Sequence, residues 1–261
     1  MIFSKHRFSK LFLVTLSALA MSACGGGGND NDNPAPDKQE PSEIVQPTTH
    51  SYYTLDYAPG GDYLSAHTTT VPHFEAEGEL KLGNSTLSFK DVDGELVVDG
   101  YRYLMVGEDF TPDEGGMVFC KDDTEESVIW HAVLPAKATA VTGSVGEKVA
   151  KLVTGNRYTF FGECKGTNEV FIVHADGSMS IEVGGVPAEG GATPAQVKEM
   201  LADAGWNRHD AEDKATITSW LKIYEEQGSV FVVTIDQFAP DSGDPTRFEI
   251  MIMVQEEAKA G

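Results

Sequence analysis

The chain has 261 residues, 41% of them hydrophobic, and its 41 acidic residues against 19 Lys and Arg give a net charge of -22. The apolar content is sufficient for a folded core, which excludes a purely disordered acidic tail. The negative charge argues against nucleic-acid binding and against adsorption to anionic lipid by charge alone, because both depend on Lys and Arg.

The chain begins with the pattern of an export signal. Residues 1–10 carry three basic residues and no acidic one, and residues 11–21 are an apolar run that ends beside small residues. This order is typical of a secretory signal peptide. The run is too short for a membrane-spanning helix, which needs ~20 apolar residues. The sequence therefore predicts a signal peptide.

The end of this segment resembles the lipobox of bacterial lipoproteins. Met21-Ser22-Ala23-Cys24 has an apolar residue and two small residues before a cysteine. The resemblance implies that residues 1–23 are removed and that Cys24 carries several acyl chains, palmitate among them, which together anchor a protein stably. In this family an Asp after the cysteine implies retention at the inner membrane. Because Gly25 stands there, the resemblance implies the outer membrane, facing either the periplasm or the outside.

Residues 24–49 are predicted to be a flexible tether. Gly, Asn, Asp, Pro and Ser dominate this stretch, and Ile44 and Val45 are its only large apolar residues. Such a segment cannot bury enough apolar surface to offset the entropy lost on ordering. The remaining residues, 50–261, are predicted to form a β-rich globular domain.

Most of this domain has strand-like patterns, with alternating or continuous apolar runs bounded by turn residues. We expect a mainly β fold, an antiparallel sandwich or barrel-like body with one or two helices in the C-terminal third. The continuous apolar run 230–233 predicts a central strand that is covered on both faces. The predicted strands are 52–57, 73–82, 85–90, 95–98, 101–106, 117–120, 127–134, 157–164, 169–174, 178–183, 229–238 and 246–254.

Three Asp-Gly pairs separate such runs: Asp93-Gly94, Asp99-Gly100 and Asp176-Gly177. Asp-Gly tolerates the positive φ angles of a two-residue hairpin turn. Residues 85–106 are therefore predicted to form a three-strand meander.

One helix has clear signals at both ends. Thr193 and Gln196 match a capping box, Pro194 suits the first helical position, and Gly205 ends the apolar periodicity. Residues 210–225 are ambiguous, because their apolar spacing fits a helix while Thr216-Ile217-Thr218 favours a strand. We favour a second helix here that ends at Gly228.

The Gly- and Pro-rich stretch 184–192 is a candidate subdomain boundary. It would separate a β-rich body from a smaller C-terminal part.

Two cysteines remain after Cys24, namely Cys120 and Cys164. Both lie in strand-like runs of a chain predicted to be exported, where oxidising conditions favour pairing. We therefore predict a disulfide bond between them.

Acidic residues are concentrated around one predicted strand, in the stretch 108–126. If their carboxylates converge, they offer the hard oxygen ligands that Ca²⁺ prefers. The alternative is a set of solvated loops that keep the protein soluble. No other cofactor is predicted. The candidate metal ligands are Asp109, Asp113, Glu114, Asp122 and Asp123.

Two histidines, His67 and His73, flank a Thr-rich segment that reads as a loop. Paired loop histidines can bind haem iron or a divalent metal. His131 and His174 lie in or beside predicted strands, where we expect structural roles.

Trp206 follows the predicted helix and is close in sequence to Arg208. An aromatic residue beside an Arg has the composition of a binding anchor. The alternative, which we favour, is a Trp that packs over the core as a lid.

No zinc-protease, dithiol or phosphate-binding glycine motif occurs, and no catalytic residue is predicted. This argues against an enzyme. The working hypothesis is a lipid-anchored binding or interaction module, whose ligand is an envelope protein, a host or environmental protein, or a small molecule. The alternatives are an exported hydrolase that uses acidic residues and a haem or metal carrier that uses His67 and His73.

Overall fold

The structure is a computed structural model that describes residues 47–58, 61–72, 77–93, 95–106, 115–121, 128–165 and 167–256. The signal peptide, Cys24 and residues 25–46 of the tether lie outside the described residues.

The described chain forms antiparallel strands and two helices, which confirms the mainly β prediction. The strands belong to one sheet network that does not close on itself. The helices are α1 (Val145–Gly155) and α2 (Pro194–Leu201). The strands are β1 (Thr48–Ala58), β2 (Gly61–Val71), β3 (Gly78–Leu82), β4 (Ser85–Val92), β5 (Glu95–Val98), β6 (Tyr101–Val106), β7 (Gly116–Lys121), β8 (Ile129–Val133), β9 (Thr139–Ala140), β10 (Arg157–Phe161), β11 (Glu169–Val173), β12 (Met179–Val183), β13 (Val186–Ala192), β14 (Trp206–Asp210), β15 (Ala215–Glu226), β16 (Ser229–Pro240) and β17 (Arg247–Gln255).

Strands β1 to β8 form what we call the N-terminal meander. Consecutive strands pair from β3 through β8, and β8 returns to pair with β1, whose other neighbour is β2. Strands β4, β5 and β6 are the three-strand meander predicted for residues 85–106, so that prediction is confirmed.

Strands β10 to β17 form the C-terminal meander. Consecutive strands pair from β10 to β13 and from β14 to β17, and β17 returns to pair with β10. Strand β9 adds a short pairing at the end of β15. In both meanders the last strand pairs with the first.

The two meanders share a hydrophobic core. Side chains of β1, β7 and β8, such as Leu55 and Ile129, pack in one cluster with side chains of β16 and β17, such as Phe231 and Ile250. A single strand pairing, Ile129 with Ile250, joins β8 to β17 at the same place. The N-terminal meander also has a core of its own, built by alternate residues of β1 to β8.

Helix α2 begins as predicted. The Thr193 hydroxyl accepts a hydrogen bond from the Gln196 backbone N–H, and the Gln196 side chain accepts one from the Thr193 backbone N–H. Helix α1 has an equivalent box between Ser144 and Glu147, although it is not among the predicted elements. A serine followed three residues later by a glutamate is the sequence signal that would have found it.

The helix favoured for residues 210–225 is wrong, because this segment is strand β15. Buried residues alternate along it at every second position from Ala215 to Ile223, which is the period of a strand. The turn at Gln227-Gly228 then joins β15 to β16 as a hairpin, with φ of 49° and 92° at the two turn residues. The β-branched and aromatic residues of β15 therefore outweigh its helical spacing.

Strands β2 and β13 also differ from the sequence-based expectations. Residues 61–71 contain the segment read as a loop, but β2 pairs with β1 along its whole length. Residues 186–192, in the Gly-rich stretch, pair with β12 through an irregular register. In both cases pairing with a neighbour, rather than an apolar pattern, accounts for the strand.

Candidate functional site

Most of the predicted ligand residues lie outside the described residues. These are His73 and the five acidic candidates Asp109, Asp113, Glu114, Asp122 and Asp123. In the described part of the chain, no group of three or more His, Cys, Asp or Glu side chains is placed to hold a metal ion.

His67 lies on β2, where its side chain is exposed. Its ring centroid is 5.9 Å from that of Tyr52 on β1. His67 is thus on a strand rather than in a loop.

Cys120 and Cys164 lie at disulfide distance, with their Cα atoms 5.8 Å apart. Cys120 is on β7 of the N-terminal meander, and Cys164 follows β10 of the C-terminal meander. The predicted proximity of the two cysteines is confirmed.

Trp206 is the first residue of β14 and is half-buried. Its ring centroid lies 4.9 Å from the guanidinium carbon of Arg208, within the range of a cation–π interaction. The structure therefore places the aromatic ring against the arginine.

The register of the C-terminal meander aligns residues of four strands. Trp206 is opposite Ser219, Ser219 is opposite Asp236, and Asp236 is opposite Glu249. Residues opposite each other in an antiparallel pair project from the same face of the sheet. Arg208 projects from that face too, since it is two residues from Trp206 on the same strand. We call it the inner face of the C-terminal meander.

Strand β16 is buried on both faces, as the sequence predicts for a central strand. Phe231, Val233 and Ile235 belong to the core shared with the N-terminal meander. Thr234 and Asp236 alternate with them on the inner face, and both are fully buried. This strand therefore places a carboxyl group and a hydroxyl group where apolar side chains are the rule.

Arg208 connects these groups to the edge of the sheet. Its Nη1 donates a hydrogen bond of 2.7 Å to the Ser219 hydroxyl. Its Nη2 is 3.8 Å from Oδ2 of Asp236, which is too long for a hydrogen bond. We call Arg208, Ser219, Thr234 and Asp236 the polar cluster. The arginine in it attracts the aspartate without binding it directly.

The polar cluster is incompletely hydrogen-bonded. Three of its atoms have no hydrogen-bond partner among the described residues, namely the two carboxylate oxygens of Asp236 and the hydroxyl oxygen of Thr234. Burial raises the pKa of the Asp236 carboxyl to about 6, and Ser219 and Arg208 oppose that rise. A buried polar group without a partner costs about 1–3 kcal/mol, and more when it is charged.

The N-terminal meander holds one comparable buried atom. His131 Nδ1 is hydrogen-bonded to the Thr54 hydroxyl, whereas Nε2 has no partner in the described part of the chain. Burial, with Lys121 nearby, lowers the pKa of His131 to about 3, so its ring is neutral at pH 7. This agrees with the structural role predicted for His131.

The sequence reasoning missed Arg208, Ser219, Thr234 and Asp236 as a group. Asp236 carries the one signal that was readable, because an aspartate within a strand covered on both faces is rarely buried without a role. Its neighbours in space come from other strands and are fixed by register alone.

Comparison of the chain with protein-family models, with curated proteins and with solved structures finds no match. Among the described residues, neither helix has the length and apolar character needed to cross a membrane.

Proposed function

We propose that this protein is a lipid-anchored binding module of the bacterial outer membrane, and that it binds a small molecule at the polar cluster. The observation that carries the proposal is the carboxylate of Asp236, which is fully buried and has no hydrogen-bond partner among the described residues. Native proteins satisfy nearly all buried polar groups, so each exception needs an explanation. A bound ligand supplies one.

The location rests on the sequence. The lipobox-like segment before Cys24 and the Gly- and Asn-rich tether after it supply an anchor and a spacer for a folded domain. A module held in this way meets its ligand in the periplasm or at the cell surface.

Binding is favoured over hydrolysis. Asp236 and Glu249 are opposite each other on β16 and β17, and a glycoside hydrolase uses a pair of carboxylates. However, the Asp236 side chain is 0% exposed, so its carboxyl group does not face an open cleft in which a polymer would bind.

The binding function is tested with the full mature chain in detergent. We expect at least one fraction of a small-molecule extract from bacterial cells to raise its melting temperature, because a ligand that binds only the folded state stabilises it. Asp236→Asn should lose that rise, whereas Asp213→Asn, which changes an exposed acid of the same meander, should keep it. If no fraction raises the melting temperature of the wild type, the proposal is wrong.

The anchor is tested separately. We expect cells that express the protein to incorporate labelled palmitate into it, and the protein to sediment with the outer membrane. Cys24→Ser should abolish both. Unchanged labelling of the Cys24→Ser variant would show that Cys24 is not the acylated residue.

A further inference from the structure

We propose that two copies of this protein associate through strand β2, whose outer edges pair antiparallel about a two-fold axis at Ala66. The proposal concerns an interaction surface of the N-terminal meander and is independent of the polar cluster and of any ligand bound there. It follows from the backbone groups along one side of β2, from the absence of charge on that side and from the symmetry of antiparallel pairing.

Strand β2 is paired along one side in the described part of the chain. Its 11 residues pair with β1 in one unbroken antiparallel register, from Gly61 opposite Ala58 to Val71 opposite Thr48. Among the described residues, β1 is the one strand that pairs with it in register. The other side of β2 is therefore an edge.

One hydrogen bond shows which backbone groups face this edge. The Asp62 backbone N–H donates to the Thr246 carbonyl at 3.1 Å, so it points away from β1. The backbone groups of successive residues alternate between the two sides of a strand, so those of Leu64, Ala66 and Thr68 face the same edge. No backbone hydrogen bond joins these three residues to another segment of the described chain.

The open part of the edge has the length of a short strand. Its first limit is the hydrogen bond at Asp62, and its second is Thr69, whose hydroxyl donates a hydrogen bond of 2.9 Å to the Lys81 carbonyl of β3. Between these limits, residues 66–68 are exposed. Residues 64–68 therefore offer an added strand about five residues of pairing, close to the mean length of a strand.

This edge lacks the features that keep sheet edges of different molecules apart. Native edge strands carry charged residues, proline or bulges that prevent pairing with another chain. Residues 63–71 contain no charged residue and no proline, in a chain of which 23% is charged, and their register has no bulge. Strand β2 is therefore a template to which another strand can add.

The other edge strands differ from β2 in this respect. Strands β3, β13 and β14 each pair with one strand among the described residues, and each carries charged residues or proline. These residues are Glu79 and Lys81 on β3, Pro187 and Glu189 on β13, and Arg208 and Asp210 on β14.

A second copy of this chain is the partner that fits the β2 edge. The net charge of -22 makes two copies repel each other at a distance. Along residues 63–71 neither copy carries a charge, so no like charges are brought opposite each other. A basic partner, in contrast, would gain nothing from an uncharged edge. Antiparallel pairing of identical strands has two-fold symmetry, which makes the edge complementary to itself.

The open stretch fixes the register of this pairing. Backbone groups that face the edge must meet the equivalent groups of the other copy, so the midpoint of residues 64–68 lies on the two-fold axis. Ala66 is then opposite Ala66 of the partner subunit, and Leu64 is opposite Thr68 of the partner subunit. The small side chain of Ala66 leaves room for the two backbones to approach at the centre.

The first test places a cysteine at the axis of the full mature chain in detergent. Residues opposite each other in a hydrogen-bonded antiparallel pair have Cα atoms about 5.5 Å apart, which suits a disulfide. We expect mild oxidation to link Ala66→Cys into a dimer that a reductant separates. Ser88→Cys is the matched control, because Ser88 is also exposed but lies on β4, which has a partner strand on each side. It should stay monomeric, whereas chains that merely share a micelle would cross-link at both positions.

The second test places charges at the same position. Ala66→Lys puts two ammonium groups opposite each other at the axis, and Ala66→Glu puts two carboxylates there. We expect each variant alone to dimerise about 5-fold more weakly than the wild type or worse, measured by sedimentation equilibrium in density-matched detergent. An equimolar mixture should dimerise more tightly than either variant alone, because opposite charges then meet. Since Ala66 is exposed, the melting temperature of the monomer should not change.

The outcomes decide both the dimer and its surface. If the wild type is monomeric at every concentration and Ala66→Cys forms no more linked dimer than Ser88→Cys, the dimer is wrong. If the wild type dimerises and neither charged variant weakens it, the assignment to β2 is overturned. None of these measurements adds a ligand or changes the polar cluster, so their failure is distinct from failure of the proposed binding function.

Discussion

In each meander the last strand pairs with the first, but the two meanders bury an aspartate in different ways. In the N-terminal meander, Asp56 accepts hydrogen bonds of 3.2 Å from the Asn84 backbone N–H and from the Ser65 hydroxyl. In the C-terminal meander, Asp236 is more deeply buried and has no hydrogen-bond partner in the described residues. The hydrogen bond from Asn84 therefore joins Asp56 on β1 to the turn between β3 and β4.

This difference distinguishes a structural group from a candidate ligand-binding group. A buried carboxylate that accepts hydrogen bonds regains part of its desolvation cost within the folded chain, whereas one that accepts none regains less. The N-terminal meander encloses a largely apolar core, and the C-terminal meander combines apolar side chains with a charged cluster near its edge strand. The comparison teaches that two meanders, each with its last strand paired to its first, can bury an aspartate with or without hydrogen bonds.

The largest effect is expected where the two meanders are linked. The loop between Cys120 and Cys164 spans 44 residues, for which a disulfide stabilises by roughly 4 kcal/mol in the chain-entropy model. We expect the double variant Cys120→Ser/Cys164→Ser to lose about this much free energy of unfolding, measured in guanidinium chloride. Two thiols that react in the native, unreduced wild type would contradict the bond.

The next effect tests the ion pair. Arg208→Met leaves the buried Asp236 without its cation, and removing one partner of a buried pair costs about 3 kcal/mol or more. We expect Arg208→Met to lower the free energy of unfolding at pH 7 by about 3 kcal/mol. Adding Asp236→Asn should restore most of the loss, because the uncompensated charge is then gone. Losses that simply add would show that the two side chains are not coupled.

The stability of the wild type relative to Asp236→Asn should change with pH. The folded-state pKa of Asp236 is raised from the usual 3.8 to about 6, so the folded state binds this proton more tightly than the unfolded state does. The resulting contribution to stability is fully present below about pH 4 and is lost as the pH rises through 6. Between pH 4 and 7.5 the wild type should therefore lose up to about 3 kcal/mol of free energy of unfolding relative to Asp236→Asn.

Asp56→Asn is the matched control for this measurement. At pH 7 we expect it to lose about 1–2 kcal/mol of unfolding free energy, because an amide replaces a carboxylate that accepts two hydrogen bonds. If Asp236→Asn showed no gain over the wild type with rising pH, the account of an unpartnered buried carboxylate would be wrong.

The smallest effect concerns a contact between the meanders. The hydroxyls of Tyr53 on β1 and Tyr224 on β15 are 2.7 Å apart and share a hydrogen bond. Tyr53→Phe should lower the free energy of unfolding by about 1 kcal/mol, the usual net value of one such bond. Tyr63→Phe, which changes an exposed tyrosine bonded to Asn84, should have a smaller effect in the same chemical denaturation.

The sequence was sufficient for elements with strong local signals. The capping box at Thr193, the two-residue turn at Asp99-Gly100 and the apolar run of β16 each have a local physical cause, and each was read correctly. Strand β2 lacks such a cause, because its Thr-rich residues are partly exposed on both faces and are held by pairing with β1. Strand β15 has two conflicting patterns, which only its hairpin with β16 resolves.

The candidate site was less accessible to sequence reasoning than the fold. Trp206 stood out because of its neighbour Arg208 in the chain. Asp236, Ser219 and Arg208 meet only because the registers of β14, β15 and β16 align them, and no property of the separate residues specifies that register.

The most direct test of the site is to map ligand binding residue by residue. Backbone amide NMR spectra of the mature chain would be recorded in detergent with and without the small-molecule extract fraction that raises its melting temperature most. The account predicts that the largest shift changes occur at residues 206–208, 217–221 and 234–236, with the N-terminal meander unchanged. Changes centred on β1 to β8, or spectra that do not change at all, would contradict it.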